Sequence, residues 1–261
     1  MNELLKRSFF GLIYALTVIL ALQNYITTAA LLAVFLIIAI TEFSRLVSIN
    51  YKLVLLPSLF IFLTTFLFYY TDNFNPNVVK IAVGFSLLTL FTPFIYFIFD
   101  RISKENLALI YLSVFYLAIP FSIALTMSGN LLLAIFLIIW ASDSFAYLVG
   151  KNFGKHKLAP QISPKKTIEG VIGGLTGGLM TAYLIFIFFD DSLMINLGTF
   201  LILAIIIVIF GTLGDLLESR FKRLANVKDS GNIIPGHGGI LDRLDSFIFA
   251  VPFVYIFLQI I

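Results

Sequence analysis

Nine long apolar runs dominate the sequence and restrict what the chain can fold into. A helix that crosses the roughly 30 Å hydrocarbon core of a bilayer needs about 20 mostly apolar residues. The runs are Ser8–Leu22, Ile26–Ile40, Leu53–Tyr70, Val78–Phe99, Leu107–Met127, Leu131–Val149, Ile168–Phe189, Met194–Leu213 and Phe247–Ile261. The first, second and last have only 15 residues and need a few flanking residues to cross. The sequence therefore predicts an all-α polytopic membrane protein with about nine transmembrane helices.

Composition excludes several other classes of protein. Hydrophobic residues make up 60% of the chain and charged residues 12%, against about 25% charged in a soluble domain. A net charge of +3, with no block of five like charges, argues against a nucleic-acid partner. The absence of cysteine excludes disulfides, zinc thiolates and thiol nucleophiles.

The positions of lysine and arginine predict the orientation in the membrane. If the N-terminus is cytoplasmic and all nine runs cross, 16 of the 17 basic residues fall on the cytoplasmic side and only Lys80 falls outside. The outer loops carry Asp72, Asp190 and Asp191 instead. We therefore expect a multi-pass protein of the cell (inner or plasma) membrane, with a cytoplasmic N-terminus and an external C-terminus.

Half of the charges are concentrated in two short polar segments. Lys151–Glu169 and Asp215–Asp245 together hold 16 of the 31 charged residues. No linker divides the chain, so we expect one integral-membrane domain over residues 1–261, with scaffold spans in 1–130 and the polar segments in 131–261. This orientation places both segments in the cytoplasm, where we expect the active site.

The longer polar segment begins on a helix face. Asp215, Ser219 and Lys222 are spaced by four and three residues, so they share one face if the eighth helix continues beyond its apolar run, with Glu218 beside them. A carboxylate near the lipid boundary is costly unless it is paired or binds a metal. Asp215 is therefore a candidate metal ligand.

A glycine-rich run follows in the same segment. Residues 235–239, PGHGG, cannot be helical and expose backbone amides, as phosphate-binding loops do. Asp242 and Asp245 come next, at the start of the last helix. Carboxylates from two helix ends, interleaved with lysine and arginine, suit a magnesium–polyphosphate complex. The alternative is a cytoplasmic loop whose acids only neutralise its bases.

The shorter polar segment precedes the seventh helix. Ser163 and Pro164 resemble an N-cap and a first-turn proline, which would place Lys165, Lys166 and Thr167 at a helix N-terminus that favours an anion. These basic residues could instead anchor the helix to lipid headgroups. Next to this segment, Asp143 lies inside an apolar run and should face a partner or a wet cavity.

Two further features have simpler interpretations. His156 lies between two lysines and is expected to be a solvated loop residue. The seventh run begins with a ladder of small residues that favours close helix packing: Gly170, Gly173, Gly174, Gly177 and Gly178. This ladder is compatible with a homodimer, and equally with packing inside one chain.

Together these residues resemble a known family. The run from Ser219 to Asp245 resembles the signature of phosphatidate cytidylyltransferases, also called CDP-diacylglycerol synthases. The matching positions are Ser219, Phe221, Lys222, Arg223, Lys228, Asp229, Gly231, Pro235, His237, Gly238, Gly239, Asp242, Arg243 and Asp245. Asp143, Ala146, Tyr147, Gly150 and the phrase FGKHKLAPQISPKKTIEG resemble a second block of the bacterial enzymes.

The resemblance implies an activity, a cofactor and a set of site residues. CTP and phosphatidate would give CDP-diacylglycerol and pyrophosphate with Mg²⁺, alone or with a second cation. Asp215 and Asp242 would hold the metal, and Asp245 would bind it too or support it from behind these ligands. Asp215, Asp242, Lys222 and Arg223 would be the catalytic residues. The other substrate-binding candidates are Asp143, Ser163, Lys165, Lys166, Thr167, Ser219, Lys228, His237, Gly238, Gly239 and Arg243.

Two other functions fit parts of the sequence. A related enzyme could use CTP on another lipid phosphate or a polyprenol. A transporter would also suit nine spans and an intramembrane aspartate, although transporter sites lie near the midplane whereas these polar residues lie towards one face.

Overall fold

Most of the described part of the chain is helical, and it also contains one small hairpin. The computed structural model describes residues 3–70, 76–193, 195–234 and 238–261. These residues form α1 (Glu3–Ala21), α2 (Tyr25–Leu46), α3 (Tyr51–Tyr70), α4 (Pro76–Ile98), α5 (Lys104–Ala124), α6 (Gly129–Phe153), β1 (Lys157–Ala159), β2 (Ser163–Thr167), α7 (Ile168–Leu193), α8 (Leu197–Leu224) and α9 (Leu241–Ile260). The predicted all-α membrane fold is confirmed.

Seven of the helices formed by the described residues are long and apolar enough to cross a membrane: α2, α3 and α5 to α9. Helices α1 and α4 contain shorter apolar stretches, Phe9–Ala21 and Val83–Ile98, so the expected count of about nine is approximate. The three 15-residue runs lie almost entirely in helices of 19, 22 and 20 residues. Each therefore gains flanking residues, as its short length required.

The first compact unit combines residues up to Met127 with the later segment Asp229–Leu241. Helices α2, α3 and α5 pack against one another, and α4 packs on α3 and α5. Phe43 and Phe121 are fully buried in this core, and the Phe43 and Tyr116 rings lie 5.2 Å apart. The later segment contains an isolated antiparallel bridge between Ile234 and Gly238.

The second compact unit comprises Ser128–Lys228 and Asp242–Ile261. Its main packing is between α6 and α7, and α8 packs against both. Aromatic rings stack on α9, with Phe136 on Phe247 at 4.6 Å and Phe210 on Phe253 at 3.6 Å between centroids. The sequence analysis assigned all of residues 131–261 to the C-terminal part of the chain. In the structure, Asp229–Leu241 belongs to the first unit instead.

The glycine ladder of α7 allows close helix packing inside this unit. A Cβ on Gly174 would lie 2.9 Å from the Ser142 hydroxyl, and one on Gly177 would lie 2.6 Å from the Phe145 Cβ. A Cβ on Gly178 would lie 2.5 Å from Val208 of α8. Backbones approach this closely only where side chains are absent. The ladder therefore packs within one chain.

The expected helix start at Ser163 and Pro164 is wrong. Ser163–Thr167 forms β2, which pairs antiparallel with β1, with Lys157 opposite Thr167 and Ala159 opposite Ser163. A residue before proline favours extended backbone, which here places Ser163 in a strand. The true cap of α7 is Thr167, whose Oγ1 accepts a hydrogen bond from Gly170 N at 3.1 Å. Lys165 and Lys166 therefore project from a strand.

Candidate active site

A cavity of about 570 Å³ lies in the second unit, among α6, α7, α8 and the hairpin. Four lysines and two aspartates contribute to its lining. The lining residues are Ser142, Asp143, Ala146, Tyr147, Gly150, Lys151, Lys157, Lys165, Lys166, Thr167, Gly170, Val171, Gly174, Thr212 and Asp215. The cavity is thus net positive, with apolar and glycine surface between the charges.

An ion pair joins the hairpin to α8 at the cavity. Lys166 Nζ lies 2.5 Å from Asp215 Oδ2, and the Ser219 hydroxyl donates to Asp215 Oδ1 at 3.2 Å. The spacing of Asp215 and Ser219 by four residues creates this second contact on one face of α8. Both oxygens of Asp215 are therefore engaged, one by a cation from another element.

Asp143 lines the same cavity from α6. Its carboxylate lies within electrostatic range of Asp215, which repels it, and of Lys166 and Arg243, which attract it. Nearby on α6, Lys151 Nζ lies 5.7 Å from the centroid of the Tyr147 ring. The side chains of α6 thus add both signs of charge to the cavity.

Glycine at position 150, which has no side chain, lets α6 approach the hairpin and α7 closely at the cavity. A Cβ on Gly150 would lie 3.0 Å from Thr167 Oγ1 and 3.4 Å from Gly170 Cα. Glu169 then holds the start of the hairpin, because it accepts hydrogen bonds from Lys155 N at 3.0 Å and His156 N at 3.2 Å. The Nδ1 of His156 also lies 2.6 Å from Glu169 Oε1. His156 is exposed, but it is not a simple solvated loop residue.

A second charged cluster joins α8 to α9 within the same unit. Lys222 Nζ donates to Glu218 Oε2 at 2.5 Å and to Asp242 Oδ1 at 2.7 Å. Glu218 is fully buried and Lys222 is 8% exposed. The other Glu218 oxygen, Oε1, is buried and makes no hydrogen bond with the described residues. Lys222 thus neutralises two carboxylates of neighbouring helices.

Asp245 is buried one turn further along α9. Its Oδ1 accepts from Ser246 N at 2.6 Å, and it lies within electrostatic range of Asp215, Glu218 and Asp143. Helices α8 and α9 are close here, because a Cβ on Gly214 would lie 2.5 Å from Asp245 O. Carboxylates from α6, α8 and α9 therefore lie within electrostatic range of Asp245 in this unit.

Two of the three predicted metal ligands contact lysines in this structure. Asp215 contacts Lys166, and Asp242 contacts Lys222. Among the residues that the structure describes, no three carboxylate or imidazole groups are arranged to hold a metal ion. The metal-binding role of Asp215, Asp242 and Asp245 stays a prediction.

The remaining described site residues of the prediction do not line the cavity. Arg223 is exposed, and its guanidinium donates to Ile162 O at 3.3 Å and Val227 O at 3.1 Å. Lys228 and Arg243 are exposed, whereas Ser163 lies in β2 and does not line the cavity. Gly238 and Gly239 belong to the first unit, and Gly238 has a φ of 87°, which favours glycine. His237 lies outside the described residues.

Sequence reasoning missed several side chains of these clusters. Lys151, at the end of α6, and Lys157, in β1, line the cavity, although the sequence analysis gave neither residue a role. Glu42 was also missed. It is fully buried, and it is the only acidic residue between Glu3 and Asp72. An isolated acid at the end of an apolar run was the signal that could have identified it.

Comparison with known proteins identifies the family. The profile described as "Cytidylyltransferase family" matches residues 6–261. A phosphatidate cytidylyltransferase of Staphylococcus haemolyticus is 49% identical over 162 residues, which are 61% of this chain and 62% of the relative. The Staphylococcus aureus protein of that name is 51% identical over 164 residues, with the same two shares. The Haemophilus influenzae protein of that name is 53% identical over 126 residues, 47% of this chain and 43% of the relative.

The matched segments therefore span less than two thirds of the length of these curated relatives. The family profile, in contrast, extends over nearly the whole chain and includes both charged clusters and the cavity. The family resemblance of the sequence motifs is confirmed, and the chain belongs to the cytidylyltransferase family.

Proposed function

We propose that this protein is a phosphatidate cytidylyltransferase, which converts CTP and phosphatidate into CDP-diacylglycerol and pyrophosphate. Family membership and the names of the relatives support this activity. The observation that carries it is the cavity, which is lined by four lysines and two aspartates: Lys151, Lys157, Lys165, Lys166, Asp143 and Asp215. Its walls are helices able to cross a membrane, so an anionic head with apolar tails fits it.

The lysines of the cavity are the proposed phosphate ligands. Both substrates are polyanions at the reacting end, and ammonium groups bind phosphate oxygens as point charges. Lys165 and Lys166 project from β2, and Thr167 completes the strand beside them. Ser163, Ser219, Lys228, Arg243, His237, Gly238 and Gly239 remain proposed contacts to the substrates, and Arg223 with Lys222 remain proposed catalytic groups.

The carboxylates of the second unit have the donor chemistry that Mg²⁺ requires. Mg²⁺ prefers hard carboxylate oxygens and is usually bound through one or two carboxylates plus substrate phosphates. Asp215 and Asp242 each accommodate a cation already, namely a lysine ammonium. We place Mg²⁺, alone or with a second cation, on Asp215, Asp242 and Asp245. When bound, it would neutralise charge that develops on the transferring phosphate.

The reaction needs alignment more than proton transfer. A phosphate monoester is largely ionised near neutral pH, so an oxygen of phosphatidate can attack the α-phosphorus of CTP without a protein base. A new P–O bond forms as the bond to the β-phosphate oxygen breaks, and pyrophosphate leaves with that electron pair. Lysines that hold both substrates in line supply orientation and charge stabilisation.

We also propose the cytoplasmic face of the cell membrane as the location of the active site. The basic residues support this orientation, because 16 of 17 fall on one side of the nine predicted crossings. The same orientation puts the N-terminus in the cytoplasm and the C-terminus outside. Water-soluble CTP would then meet the lipid head at this face, with the acyl tails kept in the bilayer.

The decisive experiment combines an activity assay with one isosteric substitution. Purified protein in lipid nanodiscs is incubated with labelled CTP, Mg²⁺ and phosphatidate, and labelled lipid and pyrophosphate are measured. We expect both products from the wild-type protein. Asp215→Asn should lower kcat by about 100-fold or more, the scale expected when a charge-stabilising group is lost.

The matched control is Asp100→Asn, the same chemical change at an exposed turn. Asp100 has a φ of 52°, which asparagine also tolerates, so activity should be unchanged. Pyrophosphate release with a polyprenol phosphate but not with phosphatidate would favour the related CTP-dependent enzyme. No consumption of CTP with any lipid phosphate would contradict the proposed activity.

A further inference from the structure

Glu42 is a fully buried carboxylate near the end of α2, in the part of the chain that carries no sequence motif. Burial of a carboxylate is costly unless its oxygens accept hydrogen bonds. An acidic residue inside an apolar helix also commonly has a function. The contacts of Glu42 therefore indicate what it does.

The Glu42 carboxylate binds both ends of one segment, residues 230–241. Its Oε2 accepts from Leu241 N at 2.8 Å and from the Ser230 hydroxyl at 3.3 Å. Its Oε1 accepts from Ile240 N at 3.3 Å. Leu241 is the first residue of α9, so the carboxylate satisfies an amide that a helix start leaves free.

Two glycines of this segment lie directly against the carboxylate. A Cβ on Gly239 would lie 2.5 Å from Glu42 Oε2 and 2.6 Å from Oε1, and a Cβ on Gly231 would overlap Oε1. Glycine is therefore required at both positions for the close approach of this side chain. Both belong to the run that resembles the family signature, so part of that signature accommodates Glu42.

We infer that Glu42 is a positioning residue for the cytidylyltransferase reaction. It holds Ser230, Ile240 and Leu241 by hydrogen bonds, and Leu241 is bonded along the chain to Asp242 in the first turn of α9. This inference rests on the proposed function, in which Asp242 is a Mg²⁺ ligand. Glu42 acts through the backbone of Ile240 and Leu241 and contacts no reacting atom. Loss of an outer residue that orients a metal ligand commonly costs about 10- to 100-fold in metal affinity or activity.

The test variant is Glu42→Gln, which keeps the size of the side chain. One carboxylate oxygen becomes an NH₂ group that would face a backbone N–H or a hydroxyl donor. We expect kcat to fall by roughly 10- to 100-fold and the Mg²⁺ concentration for half-maximal activity to rise. The KM for CTP at saturating Mg²⁺ should not change, because Glu42 does not bind substrate.

A second readout is independent of activity. Hydrogen exchange at the Ile240 and Leu241 amides should be faster in Glu42→Gln, since these amides lose an acceptor. Gly239→Ala should produce the same faster exchange, because its methyl group displaces the same carboxylate. Ser230→Ala removes one of the hydrogen bonds to Glu42, and a smaller fall in kcat is expected. It also supplies a folded variant if Glu42→Gln does not fold.

Ser44→Ala is the matched control. Ser44 lies two residues further along α2, is 1% exposed, and its hydroxyl makes no hydrogen bond with the described residues. Its kcat and its amide exchange at residues 240 and 241 should equal those of the wild type. Wild-type kcat and Mg²⁺ dependence in folded Glu42→Gln would overturn the positioning role. An inactive wild-type protein would instead overturn the proposed function, while the exchange measurement would still test the hold of Glu42 on the segment.

Discussion

At the scale of single residues, Lys222 neutralises two carboxylates. Its ammonium lies 2.5 Å from Glu218 and 2.7 Å from Asp242. The exposed fraction of the side chain is 10% for Lys222, 0% for Glu218 and 7% for Asp242. Removal of one partner of a buried ion pair leaves a charge in an apolar environment. The family resemblance suggested a phosphate-binding lysine, whereas these contacts give Lys222 a structural role as well.

We therefore predict that Lys222→Met destabilises the protein by about 3–5 kcal/mol, because Glu218 and Asp242 lose their shared cation. The free energy of unfolding would be measured by denaturant titration in detergent micelles, followed by far-UV circular dichroism. Lys104→Met, at an exposed position, is the control and should change the free energy by less than about 0.5 kcal/mol. Equal stability of the two variants would contradict a structural role for Lys222.

At the scale of elements, the packing of α6 on α7 depends on glycine. Gly177 faces Phe145, and Gly174 faces Ser142 and Ala146, with no room for a Cβ at either position. Lipid tails are as apolar as leucine, so helices associate in a membrane mainly through such close contacts. The cavity lies among these helices, and its shape depends on their spacing.

Gly177→Ala and Gly84→Ala provide a matched pair for this packing. The new methyl group at residue 177 would overlap Phe145, and we expect a loss of about 1–3 kcal/mol. At residue 84, in α4, nothing lies within 4 Å of the added Cβ, so higher helix propensity should stabilise by up to about 1 kcal/mol. Thermal unfolding in detergent, followed by circular dichroism, would compare them. A lower melting temperature for Gly84→Ala than for Gly177→Ala would contradict this account.

The hairpin shows which of two local signals determined the structure. Ser163 and Pro164 have the composition of a helix start, but residues 163–167 pair with β1 and the cap moves to Thr167. The extended backbone that precedes a proline allows this pairing with β1, which ends at Ala159. As a consequence, the lysines enter the cavity from a strand.

At the scale of the whole molecule, the orientation in the membrane can be tested directly. The chain has no cysteine, so single cysteines need no background removal. Arg101→Cys and Asn130→Cys replace exposed residues on opposite sides of the predicted topology. In intact cells, an impermeant maleimide should label Asn130→Cys only, and both variants should react after permeabilisation. The reverse pattern would contradict a cytoplasmic N-terminus.

Much of the fold could be predicted because each apolar run carries its own signal. The bounds of α3 and α4 lie within two residues of the predicted runs. The site was predictable only in part. Asp143, Lys165, Lys166, Thr167 and Asp215 do line one cavity. The sequence did not indicate that Lys222 would pair with Asp242, 20 residues away.

By itself, the sequence determined that this chain is a helical membrane protein of the cytidylyltransferase family. The length of each apolar run and the spacing of motif residues are local properties, so they can be recognised in the sequence without knowledge of tertiary contacts. Only the tertiary structure decided which charges meet. The hydrogen bonds of Glu42 connect residues 188 to 199 positions apart, and the ion pair of Lys166 with Asp215 joins a strand to a helix. Such contacts arise because buried and half-buried charges need partners, which the packing of the helices and the hairpin supplies.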